Sequence, residues 1–115
     1  MFFPKFSVKL DSFELSIDIS ENESVVKEAE FILDYNEFNE LTGFEILDLK
    51  LNFGKKCLKK IEHVMRLSKD DIKYSYDEEV DAFYMHVTNE NSLNQKCVIG
   101  YVNLNEKGEI TKFFV

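Results

Sequence analysis

Apolar and polar residues alternate without a miss along Phe13-Glu14-Leu15-Ser16-Ile17-Asp18-Ile19, and again along Phe83-Tyr84-Met85-His86-Val87-Thr88. A period of two puts every second side chain on the same side of an extended chain, so both segments predict strands with one wet face. Polar stretches follow each, at 20–23 and 89–92, and predict loops. Third strands are expected over 29–35 and 97–104, fourth strands over 41–47 and 110–115, and first strands over 6–10 and 72–76. The turns at 36–39 and 105–108 are too short for a parallel crossover, so each set of four strands reads as an antiparallel meander.

Between the two sets the period changes. Over 55–67, Cys57, Leu58, Ile61, Val64 and Met65 fall within an arc of roughly 120° at about 100° per residue, which predicts an amphipathic helix. Lys55, Lys56, Lys59, His63 and Arg66 lie on its opposite side, and Gly54 and Ser68 are suitable ends. Such a helix buries its apolar stripe by lying across one face of an antiparallel sheet.

The two sets of strands are also related in sequence. Glu40-Leu41-Thr42 matches Glu109-Ile110-Thr111 and Asn36-Glu37 matches Asn105-Glu106 at an offset of 69, while Asp11-Ser12-Phe13 lies over Asp81-Ala82-Phe83 at 70. Self-similarity at such a period predicts an internal repeat. The expected organisation is one domain over 1–115, with a first β unit at 6–48, a linking helix at 55–68 and a second β unit at 72–115. The predicted fold class is α+β: two antiparallel four-stranded β-meander repeats in a sheet-rich core, with one amphipathic helix between them.

Tyr76-Asp77-Glu78-Glu79-Val80-Asp81-Ala82-Phe83-Tyr84 resembles the opening of the small bacterial family called domain of unknown function 2283. Its closing pattern is similar to Ile32-Leu33-Asp34-Tyr35 followed by Gly43-Phe44-Glu45-Ile46-Leu47, so the two parts of the pattern are best kept in different copies. In the second copy Lys112 and Phe114 stand where Gly43 and Glu45 stand in the first. The resemblance implies a β-rich fold and no established chemistry. It also implies a small accessory protein, which favours a neutralising partner over an enzyme.

With 44% hydrophobic residues, eleven Phe, one Pro and four Gly, a chain of 115 residues holds enough apolar side chains for a continuous core. Met1-Phe2-Phe3-Pro4-Lys5 is too short and too soon charged for a signal peptide, and no apolar run approaches a membrane span. Cys57 and Cys97 have neither disulfide-framework nor metal spacing and read as buried free thiols, which predicts a cytoplasmic protein.

Net charge is −8, but residues 50–69 carry +6, through Lys50, Lys55, Lys56, Lys59, Lys60, Arg66 and Lys69 against Glu62, which leaves −14 for the rest. A field of that sign repels nucleic acid and membrane surfaces and steers basic proteins inward. The basic helix has no interleaved aromatic for base reading, so nucleic acid is not the expected partner. Pairing with acidic strands, or a homodimer seam, is its expected use.

Neither chemistry nor a cofactor is predicted. With two histidines and no Cys-x-x-Cys, no metal site is expected, and Cys57 and His63 point about 120° apart on one helix, which rules out a nucleophile–base pair. The densest acidic run is Asp77, Glu78, Glu79 and Asp81, with Tyr84 as a nearby aromatic. Its spacing is not that of a calcium loop, and its plainest reading is a solvated turn. As a site it fits protein recognition, with carboxylates facing a basic cleft. The sequence therefore predicts a non-enzymatic, acidic neutraliser of the immunity-protein or antitoxin kind, occluding a basic toxin, with a nuclease as one candidate, through those five residues. The alternatives are a structural or oligomeric accessory module and, behind it, a small enzyme or cation-binding protein.

Overall fold

The computed structural model describes residues 5–9, 12–16, 25–67, 73–88 and 90–115. It is a sheet-rich α+β fold. Strands β1 (Lys5–Lys9), β2 (Ser12–Ser16), β3 (Val25–Tyr35) and β4 (Leu41–Leu47) lead into helices α1 (Leu49–Phe53) and α2 (Lys55–Leu67). Strands β5 (Lys73–Asp77), β6 (Ala82–His86), β7 (Asn94–Leu104) and β8 (Ile110–Phe114) follow.

All eight strands form one antiparallel sheet in the order β1-β2-β8-β7-β3-β4-β6-β5. The expected pair of four-stranded meanders is therefore not what forms. Two meanders would set β2 beside β3 and β6 beside β7. Instead β3 and β7, eleven residues each, pair along their whole length, from Val25↔Leu104 to Tyr35↔Asn94. Hairpin β5–β6 lies against β4 (Gly43↔His86 to Leu47↔Ala82), and β2 lies against β8 (Glu14↔Phe114 to Ser16↔Lys112). Each half's opening hairpin thus extends the sheet from the last strand of the other half. The physical reason lies in the links. A tight turn holds neighbouring strands together, whereas 87–93 is long enough to step from β6 past β4 and β3 to β7. Side by side, β3 and β7 satisfy each other's backbone polar groups over eleven residues.

The inner face of the sheet holds the core. Phe31, Phe44, Phe83, Phe113, Ile46, Met85 and Ile110 have no accessible surface. Phe31 sits centrally, its ring 6.3 Å from Phe44 and 6.4 Å from Phe113. A Cβ on Gly100 would come within 2.5 Å of the Phe31 ring, so β7 carries glycine where the large ring of β3 crosses it. Fully burying one such ring contributes about 1.5–3 kcal/mol.

Helix α2 has the bounds its period predicts, with Cys57, Leu58 and Ile61 buried and Lys55, Lys56, Lys59, His63 and Arg66 exposed. Of the positions expected to face inward, Phe83 and Met85 are buried and Val87 packs against the core. Phe13, Leu15, Ile17, Val64 and Met65 lie outside the described side chains. Cys57 is buried, but Cys97 is exposed, contrary to expectation. The cause is register: Cys97 pairs with Ile32 on the outer face of the sheet, away from the helices. Among the described residues, no helix is long and apolar enough to cross a membrane.

Candidate functional site

The acidic run 77–81 forms the turn between β5 and β6, where Asp77, Glu78 and Glu79 are exposed and the Glu79 N–H donates to Asp77 Oδ1 at 3.0 Å. Asp81 is different. Its backbone is left-handed (φ 53°), and its carboxylate accepts the Lys50 and Leu51 N–H groups at 2.8 Å each and the Tyr76 hydroxyl at 2.6 Å. Helix α1 begins at Leu49, and Asp48, which precedes it, makes no side-chain cap. Asp81 supplies that cap from another element. Partial burial pushes its pKa up, but the hydrogen bonds from Tyr76, Lys50 and Leu51 outweigh this and hold the carboxyl below the usual range. Burial, and then donation to Asp81, pushes the Tyr76 phenol up to about 12. Exposed Val80 and Leu51 flank this turn.

Tyr84 does not join the turn. It stands on the outer face of β6, opposite Glu45 and Ser75, and its hydroxyl donates to Asp34 Oδ2 at 2.7 Å. Asp34 is 3% exposed, and its second oxygen accepts Gln95 Nε2 at 2.9 Å. Gly43 makes room for this contact, since a Cβ there would meet the Tyr84 hydroxyl at 2.6 Å. Burial and the Asp34 carboxylate push the Tyr84 phenol up to about 12. Glu45 is raised by burial, then by Asp34 and Asp77. His86 packs edge-on to the Tyr84 ring, with centroids 4.5 Å apart. The five residues singled out in the sequence thus divide three ways: Asp77, Glu78 and Glu79 face solvent, Asp81 caps α1, and Tyr84 satisfies a buried carboxylate.

A third feature, absent from the sequence reading, lies at the opposite end of β4. Turn 36–40 and residues 90–93 of the link enclose a cleft of about 490 Å³ lined by Asn36, Glu37, Phe38, Glu90, Asn91 and Leu93. The link is held by the Val87 and Thr88 N–H groups on the Thr42 carbonyl (2.8 and 3.1 Å), by Thr42 Oγ1 against Ser92 Oγ (2.8 Å), and by the Leu93 N–H on the Tyr35 carbonyl (2.8 Å). Asn36 Nδ2 donates to Glu90 across the cleft. Phe38 and Leu93 are 72% and 64% exposed. Large exposed apolar side chains gathered at one cleft form the kind of patch that marks a contact surface. The sequence signal was one phenylalanine inside a polar turn.

His63 on α2 and His86 on β6 are both exposed, and among the described residues no group of three His, Cys, Asp or Glu side chains is arranged to hold a metal. The charged groups sort by layer. The basic side of α2 points away from the sheet, while Glu28, Glu30, Glu45 and Asp77 occupy outer-face positions on the strands. No family model, no curated protein and no solved structure matches the chain.

Proposed function

We propose that the protein is a non-enzymatic binding module that docks a basic partner protein and neutralises it by occlusion, as an immunity protein or antitoxin does. The reading rests chiefly on one observation: Asp77, Glu78 and Glu79 project from a turn whose conformation is fixed by Asp81, and their side chains are exposed. Around them the chain outside residues 50–69 carries −14, so a cationic surface is drawn in from a distance, and carboxylates desolvated against it hold the complex. Exposed Val80 and Leu51 beside the turn supply apolar area. Asp81 and Tyr84 hold the site in shape and make no contact of their own in this reading.

The test is co-expression with the partner. The triple variant Asp77→Asn, Glu78→Gln, Glu79→Gln should lose protection while its melting temperature stays within a few degrees of the parent. Protection by the triple variant, with loss in a folded His63, His86, Cys57 or Cys97 variant, refutes the reading in favour of an enzyme.

A second reading, a structural or oligomeric accessory module, draws on exposed Val26, Ile99 and Tyr101 on the outer face of β3 and β7. It predicts a stable dimer by sedimentation, which Ile99→Lys disrupts.

A further inference from the structure

The two turns that close the central hairpins have the same construction at an offset of 69. In one, Asn36 Oδ1 accepts the Phe38 and Glu40 N–H groups at 2.9 and 3.0 Å, and Asn36 Nδ2 donates to Glu40 Oε1 at 3.2 Å. In the other, Asn105 Oδ1 accepts the Lys107 and Glu109 N–H groups at 2.9 Å each, and Asn105 Nδ2 donates to Glu109 Oε1 at 3.2 Å. The backbone bonds correspond as well, from Asn36 N to the Glu40 carbonyl at 3.0 Å and from Asn105 N to the Glu109 carbonyl at 2.9 Å. The fourth residue of each turn is left-handed, Asn39 at φ 60° and Gly108 at φ 78°.

Their surroundings differ. Turn 105–109 is covered by the chain's own basic helix: the Cys57 thiol donates to the Gly108 carbonyl at 3.1 Å, and Lys60 Nζ lies 3.7 Å from Glu109 Oε1. Lys60 is only 19% exposed there. Among the described residues, turn 36–40 has no such cover. Phe38, which stands where the twin has Lys107, is 72% exposed, and no described lysine or arginine pairs with Glu37, Glu40 or Glu90. The open turn thus has the acceptor that receives a lysine in the covered turn, with an added aromatic, an added carboxylate across the cleft, and Leu93 as the far wall.

We propose that turn 36–40 and its cleft are the docking site for an amphipathic, lysine-bearing helix of the basic partner. That helix lies on the open turn as α2 lies on the closed one, with a lysine on Glu40 and an apolar residue between Phe38 and Leu93. The proposal rests on the basic-partner reading above and adds the form of the partner's contact. Geometry is set by the resident helix, and selectivity by charge: a neutral or acidic helix fails against Glu37, Glu40 and Glu90.

The chain's own helix provides a defined probe. A helix-stabilised, dye-labelled peptide of residues 54–68, titrated with the full-length protein, should bind saturably by fluorescence anisotropy. The stabilisation matters because isolated helices of this length are marginal in water. Glu40→Gln should weaken binding about fivefold, the upper range for one exposed ion pair. Phe38→Ala should weaken it about thirtyfold, as an aromatic anchor at the centre of a contact does. Glu109→Gln should leave it unchanged, which places the peptide at the open turn and not in exchange with α2. Absence of binding, indifference to both Phe38→Ala and Glu40→Gln, or loss in Glu109→Gln alone overturns the proposal. Each of these results leaves the basic-partner reading intact, because that reading is decided by the acidic turn variants at the other end of β4.

Discussion

Replacing Asp81 by alanine should unfold the protein more readily than any other change in the acidic run. The carboxylate satisfies two α1 N–H groups, and removal of a helix cap costs about 1 kcal/mol. It also accepts the Tyr76 hydroxyl at 2.6 Å, and a half-buried donor left without its partner costs about 1 kcal/mol more. Alanine at φ 53° adds about 1 kcal/mol of left-handed strain that aspartate and asparagine largely escape. The sum is about 3 kcal/mol, or about 10 °C in melting temperature for a domain of this size. Asp77→Ala, Glu78→Ala and Glu79→Ala, at exposed positions, should each stay within about 0.5 kcal/mol of the parent. Thermal melts followed by far-ultraviolet circular dichroism measure both. The pH dependence carries a sign. Because the folded pKa of Asp81 is depressed, its contribution is complete above the usual carboxylate range and is lost as pH falls through the folded value. The gap between parent and Asp81→Ala should therefore close on the acid side. An Asp81→Ala protein that melts within 2 °C of the parent at neutral pH, by the scaling above, refutes the capping argument.

Two further outcomes follow from the packing. Phe83→Ala removes a ring with no accessible surface, stacked 5.9 Å from Tyr74, and should cost about 3–5 kcal/mol by urea denaturation. A fragment of residues 70–115 should show no cooperative melt, since it lacks β4 beside β6, β3 beside β7 and β2 beside β8; a cooperative transition would contradict the exchanged-hairpin fold. In a spectrophotometric titration, two of the five tyrosines, Tyr76 and Tyr84, should ionise only as pH reaches about 12. Their raised folded values stabilise the protein below the ordinary phenol pKa, and that stability is lost as pH rises through about 12. Replacing each by Phe should remove its late transition.

Much of the local structure was legible in the sequence. The alternation over Phe83–Thr88 placed Phe83 and Met85 inward and His86 outward, and the 3.6-residue period found α2 with its correct bounds. The matched turns at 36–40 and 105–109 were visible as the matches of Asn36 with Asn105 and of Glu40 with Glu109, because the side-chain bond that closes each turn joins an Asn to a Glu four residues on. Strand order was not legible, because periodicity fixes which face a residue takes but not which strand lies alongside. Helix α1 was missed: five residues make little more than one turn, too short for a repeating apolar pattern to show, and its cap, Asp81, comes from 33 positions after Asp48. For the same reason Asp81 and Tyr84 read as part of an acidic surface, although Asp81 binds backbone 30 residues away and Tyr84 binds Asp34 at a separation of 50. Phe38 gave no periodic signal, and its importance rests on exposure, which only the fold reveals.

The most direct test of the central claim is the association rate with the basic partner, measured by surface plasmon resonance at about 20 and about 150 mM salt, across which the Debye length falls from about 20 to about 8 Å. For the parent protein the rate should drop at least about tenfold between these conditions, as steering by complementary charge requires. For the Asp77→Asn, Glu78→Gln, Glu79→Gln variant it should start lower and fall less steeply. A rate that ignores salt, or a variant whose rate matches the parent's at low salt, contradicts recognition through the acidic turn.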